Sequence, residues 1–135
     1  MRFAAVCMAG LLSAFPLAAG AAEFDSFSIG AWHGGAYSND QSGVFSHCAA
    51  AATYASKLVL VVAVGRDYGW SIGVLNPDWK LEVGDKFPFE LTIDSGNGLE
   101  VNGRAIDTNY VEMVMPGNSE VVDAFRYGKL LELQG

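Results

Sequence analysis

The sequence predicts an all-β domain, an antiparallel sandwich-like arrangement with one short C-terminal helix, and three observations carry that reading. Residues 58–64 are apolar throughout and include four valines. Such a run is shorter than the roughly 20 residues a membrane span needs, and its β-branched content suits a strand shielded on both faces better than a buried helix. Residues 86–94 alternate cleanly, with Phe87, Phe89, Leu91 and Ile93 opposed to Pro88, Glu90, Thr92 and Asp94. Turn formers punctuate the chain between the apolar segments, at Gly34-Gly35, Asn39-Asp40, Asn76-Pro77, Gly96-Asn97 and Asn102-Gly103.

In chain order, residues 1–22 have the three-part pattern of an export signal: Arg2, an apolar stretch to Phe15, then small residues up to Ala22. Cys7 lies inside that apolar stretch and is expected to leave with it. Removing 22 residues from 135 leaves 113, enough for a single β-rich domain over residues 23–135. Residues 27–33 read as a first strand bounded by Gly34-Gly35, and residues 38–43 as a polar loop. Residues 45–54 and 58–64 form the central pair, although the alanines of the first favour a helical turn intrinsically. Residues 70–75 alternate as a half-buried strand, Pro77 breaks it, and residues 79–83 alternate again before a turn at Gly84-Asp85.

Pro88 places the 86–94 strand near an edge or at its own start. Residues 99–101 are a short strand, Asn102-Gly103 a hairpin turn, and residues 108–115 the next strand. A helix follows, capped by Asn118 or Ser119, with Glu120 in its first turn, an apolar face of Val121, Val122 and Phe125, and Gly128 as C-cap. Residues 129–133 open another strand. A strand begun at Leu130 with nothing beyond it would stand as an edge with half-covered leucines, so a complete domain and one shortened at its C-terminus are both open readings.

Composition narrows the function classes. Eight basic residues stand against 15 acidic ones, a net charge of −7, and losing Arg2 makes it −8. Such a surface repels nucleic acid and anionic lipid, which argues against either as partner. No glycine-rich phosphate loop, framed carboxylate pair or serine nucleophile elbow occurs, so no cofactor is expected. Tyr68, Trp70 and Trp79 flank turn residues and are the candidate ligand-binding platform, suited to a protein or saccharide partner. Cys48, alone after export, is expected to be buried, paired with another chain, or left from a disulfide whose partner is missing. A thiol mechanism would need a base within reach of Cys48. In an extended segment His47 points to the other face, which leaves His33 for that role. Zinc held by His33, His47 and Asp40 lacks any close-spaced ligand motif. Asp94 reads as a turn residue bonding its own backbone.

Trp32 with Gly35-Ala36-Tyr37, the segment 43–49 with Tyr54, Trp70-Ser71-Ile72-Gly73 with Asn76-Pro77 and Trp79, and Leu91-Thr92-Ile93-Asp94 resemble exported bacterial proteins related to the invasion-associated locus B family. The resemblance covers roughly residues 27–133 and rests on structural motifs. It implies a periplasmic or secreted β-sandwich with no established catalytic residues, sometimes linked to host-cell invasion or envelope function. Members carry more cysteines and further strands, which Cys48 and the end of this chain lack. The expectation is therefore a non-catalytic envelope or secreted binding protein, without a membrane span once the signal is removed. The alternatives are a small cysteine-dependent hydrolase using Cys48 with His33, and a truncated remnant of a longer domain.

Overall fold

A computed structural model describes residues 22–135, so that, Ala22 apart, the expected export signal and Cys7 lie outside the described residues. These residues build nine strands and a helix: β1 (Ala22–Ile29), β2 (Trp32–Ser38), β3 (Phe45–Thr53), β4 (Val59–Gly65), β5 (Trp70–Leu75), β6 (Lys86–Ile93), β7 (Leu99–Asp107), β8 (Tyr110–Val114), α1 (Ser119–Tyr127) and β9 (Leu131–Gln134). All strands join one sheet in the order β1-β2-β3-β4-β5-β8-β7-β6-β9. Every pairing is antiparallel. The result is the expected open, sandwich-like all-β fold with a single short C-terminal helix.

The register sorts side chains into two faces. Leu60, Val74 and Val111 stand opposite one another across β4, β5 and β8, and Val62, Ile72 and Met113 do the same one pair along. With Leu91 and Val101 they form the core, where Ile72 and Met113 are wholly removed from solvent. A sheet face is buried only where another layer, or another part of the sheet, packs on it. Here the cover includes Val121 and Phe125 of α1 and Trp79 and Leu81 before β6, while Leu131 and Leu133 pack against the same core from the sheet's own last strand, β9. Asn118 caps α1 by accepting the Val121 N–H at 2.9 Å.

Four local expectations need correction. Residues 27–33 are not one strand. Gly30, at φ +59°, turns the chain with Ala31, and Ile29 pairs directly with Trp32. Residues 79–83 join no ladder; single bonds, Leu81 N–H to Thr108 O at 2.7 Å and Gly84 N–H to Ala105 O at 2.8 Å, hold the segment beside the β7–β8 hairpin. Asn102-Gly103 is not a turn, because β7 runs straight through it. Gly103 is there for packing: a Cβ would come within 2.6 Å of the Phe89 ring and 2.7 Å of Val111. Finally, the valine-rich β4 is shielded on one side only. Leu60 is buried on the core face, while Val61 and Ala63 line an open depression on the other.

Pro88 fits its place in the interior strand β6. β9 pairs with β6 only from Glu90 to Ile93, so at Pro88 the strand is locally an edge where a missing donor breaks no ladder bond.

Candidate binding surfaces

The three aromatic candidates have different surroundings. Tyr68 sits at the β4–β5 turn with φ +61° and is 88% exposed. Trp70 is a core residue; its indole Nε1–H donates to Pro116 O at 2.9 Å, and its ring lies 5.1 Å from Phe125 at a 55° tilt. Trp79 packs, partly buried, against the same core. Trp70 therefore ties α1 to the sheet, and a shared exposed platform of the three is not assembled.

Cys48 is exposed, which corrects the expectation of a buried thiol, and it carries no disulfide within the described residues. It pairs with Ala36, whereas His33 pairs with Ala51. Those positions are three residues apart on each strand, which puts the thiol and His33 on opposite faces. His47, as its neighbour in β3, faces away as well. The base that a thiol mechanism would require is thus not brought to Cys48, contrary to the role left for His33. Instead His33 Nδ1 lies 2.9 Å from Ser28 Oγ, and His47 stacks on Tyr37 at 5.0 Å and 15°. Among the described residues no group of three His, Cys, Asp or Glu is placed to hold a metal ion.

Asp94 does more than turn the chain. Its carboxylate accepts the Lys129 N–H at 2.9 Å and the Leu130 N–H at 2.8 Å, joining residues 35 and 36 positions away. Those backbone donors, Lys129 first and Leu130 second, hold its pKa below the usual carboxylate value, against a small opposing effect of desolvation. Asp94 thereby leads the chain into β9.

Two surfaces emerge that the sequence did not flag. On the outer face, Ala49, Ala63 and Ser71 stand side by side across β3, β4 and β5. They floor a shallow depression of about 430 Å³ walled by His47, Tyr110 and Glu112. Tyr110 lies across Gly73, where any Cβ would strike its ring. Burial raises the Tyr110 pKa, and the charge of Glu112 adds to the effect.

The second surface is the edge formed by β1, which pairs only with β2 and is exposed from Glu23 to Ile29. A two-residue hairpin makes its flanking pair, Ile29 and Trp32, exchange both backbone hydrogen bonds. Alternation then turns the backbone N–H and C=O of Ser28 and Ser26 to the open side. Glycine 30 is the signal that reveals this edge: read as a turn, it separates β1 from β2 and carries the strand back to Ala22.

Compared with known proteins, the chain matches no family model, no curated protein and no solved structure. No helix among the described residues is long and apolar enough to cross a membrane.

Proposed function

We propose that this chain is a non-catalytic binding module of the bacterial envelope or exterior, and that it takes an extended segment of another protein as an added strand along β1. One observation carries the reading: β1 is a sheet edge eight residues long, exposed from Glu23 to Ile29, with Phe24 59%, Phe27 46% and Ile29 71% accessible. Edges of this kind pair readily unless guarded by lysine, proline, a bulge or inward charge. β1 has a bulge between Glu23 and Asp25, but residues 26–29 are uncharged and carry no proline. Main-chain hydrogen bonds to Ser26 and Ser28 would supply affinity, and Phe27 and Ile29 the apolar contacts. The export signal and the likeness to the invasion-associated locus B family belong to the same proposal.

The test is amide hydrogen exchange of the exported form, followed residue by residue, with blocked eight-residue peptides of alternating valine and threonine. An added strand slows exchange at Ser26 and Ser28 while leaving the core amides unchanged. If no peptide slows those two amides, the reading fails.

A further inference from the structure

We infer that the segment taken at β1 is one whose apolar residues lie against Phe27 and Ile29 and whose basic residues lie against Asp25 and Glu23; this rests on the strand-addition reading above. The charge distribution points there. No lysine or arginine occurs from Ala22 to Ser56, whereas Glu23, Asp25 and Asp40 do. The side chains of the first three strands therefore include carboxylates and no lysine or arginine, and export after Ala22 adds a single α-ammonium at Glu23. Among the described residues the one ion pair is Lys57 with Asp78 at 2.9 Å, so neither Glu23 nor Asp25 is in an ion pair with a side chain.

The register divides the edge into two halves. Asp25, Phe27 and Ile29 oppose Ala36, Gly34 and Trp32, and so share a face. Phe27 lies over Gly34, where a Cβ would come within 2.8 Å of the ring. The half towards the hairpin is apolar on this face and ends at Asp25; past the bulge Glu23 opposes Tyr37 and lies beside Gly35 on the other face, so the two acids stand on opposite faces with the exposed Phe24 between them. Antiparallel addition is the slightly more stable pairing. A partner running that way meets Ile29 and Phe27 first and Asp25 and Glu23 last, which places its basic residues at its C-terminal end. Like charges set opposite on paired strands are destabilising, so an acidic end is disfavoured there.

A second copy of this chain is the competing occupant, since antiparallel β1 edges could also meet each other. Such a dimer would bring no basic residue to either pair of acids, because β1 to β3 have none.

Three blocked peptides decide the matter, each alternating valine with threonine and ending in two lysines, two glutamines or two glutamates. Binding is read by exchange at Ser26 and Ser28 and by titration calorimetry. The lysine peptide is expected to bind about tenfold more tightly than the glutamate peptide at low salt, as two exposed charge pairs allow. The gap should narrow as salt screens the carboxylates. Glu23→Gln with Asp25→Asn should bring the lysine, glutamine and glutamate peptides to the same affinity. Peptides that bind with no order among them would overturn this inference and leave strand addition standing; peptides that never protect Ser26 and Ser28 would overturn both. Ser26→Pro, which deletes an outward donor, should abolish binding. Ile29→Lys, which leaves the backbone intact, should weaken the lysine peptide and covers the case in which the proline variant does not fold. A dimer in sedimentation that Ser26→Pro or Ile29→Lys converts to monomer would assign the edge to a second copy and overturn the peptide proposal.

Discussion

At the scale of single residues, Asp94 makes the sharpest prediction. Its lowered pKa means that the folded state favours the carboxylate more than the unfolded chain does. The stability it contributes is therefore complete above the unfolded value, near 3.8, and is lost as pH falls through the lower folded value. Asp94→Asn should lower the melting temperature at neutral pH and flatten this part of the acid limb. Thermal melts of both proteins between about pH 2 and pH 7 test it, and parallel curves would refute it. Gly73 gives a second test. Gly73→Ala drives a methyl into the Tyr110 ring and should cost about 1–3 kcal/mol, as overpacking does. In a Tyr110→Ala background the penalty should largely disappear, a coupling that denaturant titration of the four proteins measures. Cys48, exposed on β3, should be alkylated stoichiometrically in the folded protein, and Cys48→Ser should leave the melt unchanged.

At the scale of elements, α1 depends on two attachments. Asn118→Ala removes the side chain that accepts the Val121 N–H and should cost about 1 kcal/mol. Trp70→Ala removes both the Phe125 contact and the bond to Pro116 O, leaves a cavity in the core, and should cost about 3–5 kcal/mol. Chemical denaturation monitored by circular dichroism separates the two, and equal losses would contradict the assignment of Trp70 to the core. The sequence revealed elements wherever local chemistry and final structure agree. β3, β4, β5, β6 and α1 were readable because alternation, β-branched runs and the Asn118 cap are local signals. It misled at Asn102-Gly103, because a glycine demanded by Phe89 and Val111 is indistinguishable in one dimension from one demanded by a turn. Residues 79–83 alternate like a strand for a similar reason. Trp79 and Leu81 must reach the core, and an extended segment does that without any ladder.

At the scale of the whole molecule, coverage of the sheet is uneven, and stability should follow it. The core residues of β5, β7 and β8 are packed by side chains of α1, β9 and the 79–81 segment, while β1 has no buried residue from Glu23 to Ile29. Amides of β5 and β8 should exchange only on global unfolding, and those of β1 through local opening with a much smaller free energy. Uniform protection across all nine strands would contradict this picture. The same unevenness separates the candidate sites. Trp70, attractive as a turn-flanking aromatic, is spent on holding α1, whereas the edge of β1 and the outer depression beside Tyr110 are left open.

The sequence by itself determined the secondary-structure class, most strand positions, and the helix with its C-cap at Gly128, since these follow from side-chain periodicity and from bonds between neighbours in the chain. Only the tertiary structure decided which face of β4 is covered, that Asp94 reaches across to Lys129 and Leu130, and that Cys48 and His33 look opposite ways. Each of those depends on strand order and register. These are set when distant segments pack together, and no local pattern records them.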